Sequence, residues 1–292
     1  MEFSEKLLIE HASPLIERAL CEDISDADIT TEALIPKGIQ GSAKIIARED
    51  LVVCGQKVVE LVFSSLSGEL VYKPEVEDGT RLSDSECIGR VSGSFAAILT
   101  AERTALNFLQ RLSGIATSTN QMLKLLKSEG VDLLDTRKTT PGWRYLEKYA
   151  VSVGGGTNHR EGLFDAFLIK NNHIDAFGGS IAEAIESCRK QDSSKKLEVE
   201  VRDSNELEQA IAAKPDAILL DNMSLSELRE SVEKVRSSES PQIYLEASGG
   251  ITSQTVAEVA STGVNGISTG SITHSVKASD ISLRFEELSQ ND

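Results

Sequence analysis

The sequence predicts an α/β protein in which a mixed amino-terminal region precedes a parallel (β/α) barrel. Two observations predict this class. Residues up to about 110 mix helical and strand patterns, whereas residues from about 131 alternate short apolar runs with helical segments. Near-continuous apolar strands that alternate with helices are typical of parallel sheets. Six or more such units in the second half of the 292 residues favour closure into a barrel.

The amino-terminal region begins with a helical segment that carries Leu7, Ile16 and other apolar residues. Short strand candidates follow, bounded by glycines, at residues 42–47, 51–54, 68–72 and 86–92. A long helix is then predicted over residues 101–126, because apolar residues from Ala105 to Ala116 recur on one face. Gly114 in this helix indicates either a break or a close approach of another segment.

The second half supplies the βα units. Its strand candidates are residues 131–134, 166–169, 197–201, 217–220, 243–245 and 263–267. Its helical segments are residues 180–190, 204–213, 224–235 and 252–262. No repeat or low-complexity segment interrupts this alternation.

Composition excludes several classes of function. The chain carries 46 acidic and 30 basic side chains, a net charge of −16, which disfavours binding to nucleic acid or to anionic membranes. Its apolar runs are far shorter than the roughly 20 residues of a spanning helix. The first ten residues lack a secretory pattern. The four cysteines are widely spaced, so we expect reduced thiols in a cytoplasmic protein.

Polar residues follow nearly every strand candidate of the second half. The carboxyl ends of barrel strands meet on one face, so these residues are expected to converge on one pocket. A single polar residue after a strand is usually a helix N-cap, as Ser248 and Thr269 would be. Six polar strand ends in succession favour a site. They comprise Thr136, Arg137 and Lys138; Lys170; Glu200; Asp221; Ser248, Gly249 and Gly250; and Thr269, Gly270 and Ser271.

The charges of these residues indicate an anionic ligand. An acidic chain places Arg137, Lys138, His159, Arg160 and Lys170 in the segments that should meet at this pocket. Like charges in a confined space repel, and a polyanion offsets that repulsion. Arg103 is a possible sixth cation, although an exposed helical arginine paired with a carboxylate is the more usual case.

Two glycine loops indicate phosphate. Residues 247–251 and 269–271 each precede a helix, where backbone N–H groups bind anions, and the last two βα loops of barrels often do so. The segment 153–160, which contains three glycines, is interpreted as a mobile segment that delivers His159 and Arg160 to a ligand rather than as a plain flexible linker. Glu200 and Asp221 would suit Mg²⁺ or ribose hydroxyls; a salt bridge to Lys138 or Lys170 is the alternative.

The sequence resembles the quinolinate phosphoribosyltransferase family over nearly its whole length. The resemblance is carried by the block LLDTRKTT and the Asn-His-Arg that follows it, within residues 133–174. Further matching segments are residues 19–30, 101–117, 197–207, 217–224, 244–251 and 266–275. The sequence departs from the family at Ala27, where Gly is usual, and at Asn171, where Asp is common. Neither departure falls on a residue to which a chemical role is assigned, so they affect only the local electrostatics.

The resemblance implies more than the residues alone do. It implies an α/β open sandwich at residues 1–110, an incomplete barrel at residues 111–274, and a last helix, residues 275–292, that packs on the first domain. It implies a homodimer or hexamer in which Arg103 reaches the partner's site. The implied substrates are quinolinate and phosphoribosyl pyrophosphate, with Mg²⁺ as cofactor and with neither nucleic acid nor membrane as a partner.

The resemblance also implies roles for the pocket residues. Arg137, Lys138, His159, Arg160 and Lys170 would hold quinolinate and the phosphates, and Lys138 or Lys170 would guide protonation. Glu200 and Asp221 would serve the ribose and Mg²⁺. The 5-phosphate would lie in the glycine loops, against Ser248, Gly249, Gly250 and Gly270, with Thr269, Ser271 and His274 nearby.

Two alternatives remain open on the sequence. One is a paralogue of the same fold from molybdate-uptake operons that acts on another acceptor. The other is a non-catalytic phosphate-binding scaffold, which would need neither Glu200 and Asp221 nor the paired arginines.

Overall fold

A computed structural model describes residues 3–126 and 130–290. The chain divides into two compact units. The amino-terminal unit comprises residues up to 120, residues 139–155 and residues from 275 onwards. The barrel unit comprises residues 121–138 and 156–274. An antiparallel sheet in the first and a parallel sheet in the second confirm the predicted α/β class.

The amino-terminal unit is built around an antiparallel sheet. Its helices are α1 (Glu5–Ile24), α2 (Ile29–Leu34), α3 (Gln56–Leu66), α4 (Phe95–Leu125, whose last turn lies in the other unit) and α5 (Arg144–Val153). Its strands are β1 (Ile39–Ala47), β2 (Leu51–Val52), β3 (Val71–Pro74), β4 (Arg81–Leu82), β5 (Cys87–Ser94) and β12 (Ile281–Gln290). The sheet order is β12-β1-β5-β3, and β2 pairs separately with β4.

Helical spacing explains how this unit buries its core. Helix α1 begins after Ser4, whose side chain accepts from the backbone N–H of Leu7, and it buries Leu8, Ala12, Ile16 and Leu20 at four-residue intervals. The stripe predicted from Ala105 to Ala116 on α4 is buried as well. Gly114 is a site of close approach, because a Cβ there would lie 2.4 Å from the carbonyl oxygen of Lys277.

The barrel unit alternates strands and helices. Its strands are β6 (Asp132–Leu134), β7 (Phe167–Ile169), β8 (Leu197–Val201), β9 (Ala217–Asp221), β10 (Tyr244–Ser248) and β11 (Gly266–Ser268). Its helices are α6 (Asn171–Phe177), α7 (Ile181–Gln191), α8 (Ser204–Ala213), α9 (Leu225–Arg236), α10 (Val256–Ala260) and α11 (Ser271–His274). The parallel order is β6-β11-β10-β9-β8-β7. Within the described residues, β6 and β7 do not pair, so the barrel is incomplete.

The register of the sheet brings the strand ends together. Leu134 pairs with Ser268, Ser268 with Ser248, and Ser248 with Asp221, so four strands end in one row. At the open edge, Thr157 bridges Leu134 in the parallel sense and brings the segment after the glycine run alongside β6. The polar residues that follow these strands therefore meet on one face, as the sequence predicted.

The predicted carboxyl-terminal helix is wrong. Residues 275–280 form no helix, and residues 281–290 form β12, which pairs antiparallel with β1. The physical reason is an alternation in which Ile281, Leu283 and Phe285 share one face of the strand, a period of two that suits a sheet. Phe285 packs edge-on against Phe95, with ring centroids 4.5 Å apart.

The predicted domain boundaries also need correction. The boundary at residue 110 falls inside α4, which continues without interruption to Leu125. Residues 111–120 and 139–155, assigned to the barrel from the sequence, belong to the amino-terminal unit. Trp143 stacks on Phe108, and buried Glu147 accepts from Arg111 at 2.7 Å, which ties the second of these segments to α4.

Two further expectations concern the whole chain. The four cysteines, all among the described residues, are free thiols. In the part of the chain that the structure describes, no helix has both the length and the apolar character that crossing a membrane requires.

Candidate functional site

The barrel unit brings the predicted site residues to the carboxyl ends of its strands. Thr136, Arg137 and Lys138 follow β6, Lys170 follows β7, and Thr269 to Ser271 follow β11. Glu200, Asp221 and Ser248 lie in the last two positions of β8, β9 and β10. His159 and Arg160 lie just beyond Thr157, the residue that bridges β6.

The first predicted phosphate loop needs its glycines. Gly249 has φ +99° and Gly250 has φ +61°, left-handed conformations that glycine adopts without strain. A Cβ on Gly249 would also lie 2.2 Å from Oδ1 of Asn222, so the backbone passes closely over the end of β9. Ser268 donates to the hydroxyl of Ser248 at 3.0 Å and joins β11 to this loop.

The second loop packs against the first. The Thr269 hydroxyl donates to the carbonyl oxygen of Ile251 at 2.9 Å and lies 2.8 Å from the Ser271 hydroxyl. A Cβ on Gly270 would lie 2.8 Å from both Lys138 and His274. Only a glycine at this position leaves room for these two side chains. The cationic side chain of Lys138 and the imidazole of His274 therefore lie beside the backbone of the loop.

Two arginines of the barrel unit, Arg137 and Arg160, act on each other electrostatically. Burial, and then the neighbouring Arg137, lower the pKa of Arg160, while Asp165 and Glu198 act in the opposite sense. An arginine stays charged at neutral pH despite such a shift. The Arg160 guanidinium donates to the carbonyl oxygen of Ala166 at 3.3 Å. Two half-buried like charges that act on each other in this way favour binding of an anion that neutralises both.

The two candidate carboxylates differ in their partners. Glu200 is mostly buried and lies 3.8 Å from the ammonium group of Lys170, so the salt bridge that the sequence left as an alternative is present. Asp221 accepts from the side chain of Asn222 at 3.0 Å. Because β8 and β9 are adjacent, the site offers oxygen donors from two neighbouring strands, and such donors suit Mg²⁺.

His159 points to two glutamates of the barrel interior. Its Nε2 lies 3.0 Å from Glu198 and 3.5 Å from Glu246. The ligand atoms of these three residues lie within 4.8 Å of one another, a spacing that a metal ion would tolerate. The backbone N–H of Arg160 donates to Nδ1 of His159, however, so Nδ1 must be unprotonated and Nε2 carries the hydrogen. A protonated Nε2 is a donor to the carboxylates, and the ring in this arrangement is not a metal ligand.

Arg103 lies in the amino-terminal unit. It is an exposed residue of α4, and its neighbour Glu102 carries a pKa raised by burial and lowered in part by Arg103. Its predicted role in the site of a partner chain stays a prediction.

Sequence reasoning assigned no role to three buried acids of the barrel interior. Asp135 is fully buried, Glu246 is 2% exposed, and Glu198 is 8% exposed. Asp135 accepts from the side chain of Asn158 and from the backbone N–H of His159. The sequence did carry a signal for these three acids. Each is an ionisable residue inside or directly after an apolar strand, and such residues are rarely buried without a partner.

Both units match known family models. Residues 28–113 match the N-terminal domain of quinolinate phosphoribosyl transferase, and residues 115–284 match its C-terminal domain. These matches cover most of the chain and place the family in both units.

Curated relatives and solved structures agree with these models. The probable nicotinate-nucleotide pyrophosphorylase (carboxylating) of Bacillus subtilis (strain 168) is 41% identical over 271 residues, which span 92% of this chain and 91% of the relative. Quinolinate phosphoribosyltransferase (decarboxylating) 1b of Nicotiana tabacum is 39% identical, over 93% of this chain and 81% of the relative. The structure of the nicotinate-nucleotide pyrophosphorylase from Francisella tularensis superposes with a TM-score of 0.90 at 42% identity and covers 95% of this chain and 96% of its own. This chain therefore belongs to the quinolinate phosphoribosyltransferase family.

Proposed function

We propose that this chain transfers the phosphoribosyl group of phosphoribosyl pyrophosphate to the ring nitrogen of quinolinate and forms nicotinate mononucleotide, pyrophosphate and CO₂ in NAD biosynthesis. The observation that carries this proposal is the match of both units to the family, together with Arg137 and Arg160, whose charges act on each other in the barrel unit. A ligand with two carboxylates suits two adjacent guanidinium groups, each of which binds a carboxylate with two hydrogen bonds.

Positioning and charge stabilisation supply the catalysis. The bond between C1 of ribose and pyrophosphate breaks, and the pyridine nitrogen of quinolinate forms the new bond to C1. Lys138, beside Gly270, and Lys170, beside Glu200, are the cations placed to stabilise the departing pyrophosphate. The glycine loops hold the 5-phosphate through backbone N–H groups. No protein nucleophile takes part.

Decarboxylation follows from the product's own charge. The positively charged pyridinium nitrogen stabilises the electron pair that stays on C2 when the bond to the adjacent carboxylate carbon breaks and CO₂ leaves. C2 then takes up a proton. Lys138 or Lys170 guides that proton, since both are exposed ammonium groups at the strand ends.

Magnesium is the proposed cofactor. Glu200 and Asp221 would hold it together with substrate oxygens and water, and the two carboxylates on adjacent strands fit the oxygen preference of Mg²⁺. When bound, the ion neutralises charge on the pyrophosphate. Glu200, which lies 3.8 Å from the ammonium group of Lys170, would give up that contact to hold the ion, and Lys170 would then be available to the substrate.

One assay tests the proposed reaction. The purified chain is incubated with quinolinate labelled in the 2-carboxylate and with phosphoribosyl pyrophosphate, with and without Mg²⁺. We expect labelled CO₂ and nicotinate mononucleotide in equal amounts, only with the metal. Pyrophosphate release with another acceptor but not with quinolinate would favour the molybdate-operon paralogue. Ligand binding in calorimetry without pyrophosphate release would favour the phosphate-binding scaffold.

The proposed assembly is a homodimer or hexamer in the cytoplasm, with Arg103 of one copy in the site of its partner. Exposure of Arg103 on α4 and the free cysteines support this. Subunit mixing tests it: Arg103→Ala and Glu200→Gln chains should each be inactive alone, and their mixture should regain activity. Failure of the mixture to regain activity would place Arg103 in its own chain's site or outside any site.

A further inference from the structure

Hydrogen bonds in the barrel unit connect the interior acids to Arg160 through His159. Asp135 accepts from the backbone N–H of His159 at 2.8 Å and from the side chain of Asn158 at 2.6 Å. The backbone N–H of Arg160 donates to Nδ1 of His159 at 2.7 Å. Nε2 of the same ring donates to Glu198 at 3.0 Å. Both ring nitrogens of His159 are thus used within the protein.

This arrangement limits what His159 can do. Its side chain is only 14% exposed, and neither nitrogen is left to bind an oxygen of the substrate. The hydrogen bonds also fix the backbone on both sides of the ring, because Asp135 holds the N–H of residue 159 and the ring holds that of residue 160. His159 therefore acts on the residue that follows it.

Arg160 needs such support because of its neighbour. The Arg137 guanidinium repels it, and Arg160 lies in residues 158–166, which form neither helix nor strand. Glu198 attracts Arg160, so the same carboxylate holds the ring and offsets the repulsion. Without these contacts, the arginine would relax away from Arg137.

We propose that Asp135, His159 and Glu198 are positioning residues that hold Arg160 beside Arg137 in the anion site. The inference rests on the proposed function, in which those two guanidinium groups bind the carboxylates of quinolinate. It assigns His159 a position behind the substrate-binding surface, whereas the resemblance implies a residue that holds the substrate.

Substitutions of Glu198 test the proposal. Glu198→Leu removes the acceptor for Nε2, and we expect the KM for quinolinate to rise about tenfold or more, since small displacements of a binding group are costly. The kcat should stay within about threefold of normal, and so should the KM for phosphoribosyl pyrophosphate. Glu198→Gln keeps an acceptor oxygen and should recover most of the lost affinity. A general loss of structure would lower kcat and raise both KM values together.

Two substitutions of His159 separate its two hydrogen bonds. His159→Asn keeps an acceptor oxygen near the position of Nδ1, within reach of the Arg160 N–H. His159→Gln keeps a donor near Nε2 but leaves that N–H without its acceptor. We expect the asparagine variant to bind quinolinate more tightly than the glutamine variant, with kcat similar in both. A fall in kcat with unchanged KM in both variants would overturn the proposal and make His159 a catalytic residue.

Glu246→Gln is the matched control. Glu246 is as buried as Glu198 but lies farther from the ring, at 3.5 Å, so its KM for quinolinate should stay within about twofold of normal. A normal KM in Glu198→Leu, with the wild-type chain active, would overturn the positioning role alone. An inactive wild-type chain would overturn the proposed function instead. If circular dichroism shows that Glu198→Leu does not fold, the His159 pair decides the question.

Discussion

Glu246→Gln should change how the stability of this protein depends on pH. Burial, and then the neighbouring Glu198 carboxylate, raise the pKa of Glu246 to about 8 from an ordinary value of 4.5. His159 and Ser268 lower this pKa, and Asp135 adds to the rise. At neutral pH the folded chain therefore holds a proton on Glu246 that the unfolded chain has lost.

The sign and size of this pH effect on stability follow from proton binding. Between the two pKa values the folded state binds more protons, so the free energy of unfolding falls as pH rises, by at most about 1.4 kcal/mol for each pH unit. Over the window from 4.5 to about 8 the ceiling is about 5 kcal/mol. Glutamine resembles the protonated form and cannot ionise. The variant should match the wild type near pH 5 and exceed it by several kcal/mol near about pH 9.

Unfolding by guanidinium chloride, followed by circular dichroism, measures this difference in the free energy of unfolding. The control is Glu230→Gln, a substitution of an exposed glutamate on α9, which should leave the pH dependence as it is in the wild type. Equal pH dependence of the wild type and Glu246→Gln would refute the reasoning, because it would mean that Glu246 is ionised in the folded chain at neutral pH. A variant less stable than the wild type at alkaline pH would do the same.

The remaining predictions concern binding and stability. Arg137→Ala should abolish turnover of quinolinate and leave the circular dichroism spectrum unchanged. Normal turnover would show that the dicarboxylate does not bind at Arg137. Gly249→Ala places a side chain at φ +99°, with its Cβ 2.2 Å from a neighbouring side chain. In steady-state kinetics it should raise the KM for phosphoribosyl pyrophosphate and leave the KM for quinolinate unchanged. Arg111→Met leaves the fully buried Glu147 carboxylate without its guanidinium partner and should lower the free energy of unfolding by about 3–5 kcal/mol. Unfolding followed by the fluorescence of the single tryptophan measures this loss, and an unchanged unfolding midpoint would contradict it.

The parallel sheet was predictable because its strands are continuous apolar runs that local pattern defines. The carboxyl-terminal strand was not predicted, although Ile281, Leu283 and Phe285 alternate with polar residues. Its partner β1 lies more than 230 residues away in the sequence, as the pairing of Ala47 with Ile281 shows. No local pattern specifies such a pairing, and the family resemblance predicted a helix instead.

The candidate site shows the same difference between residues that the local sequence pattern identifies and residues whose roles depend on tertiary contacts. Cations at strand ends stand out in an acidic chain, so Arg137, Arg160 and Lys170 could be selected from the sequence. Asp135 and Glu198 could not, because an acid in or after a strand has many ordinary explanations. Their roles depend on the distances to His159 and on which ring nitrogen accepts a hydrogen bond, and only coordinates give these.

The buried acids also bear on which anions the site can accept. Asp165 and Glu198 offset part of the repulsion on Arg160, whereas Glu246 holds a proton and offsets none of it. A monocarboxylate would compensate one of Arg137 and Arg160 and leave the other exposed to repulsion. A dianion compensates both at once, and the partial desolvation of the two guanidinium groups strengthens each of these attractions. The site should therefore select for two carboxylates through the cost of leaving one cation unpaired, which is the discrimination that separates quinolinate from its decarboxylated analogue, nicotinate.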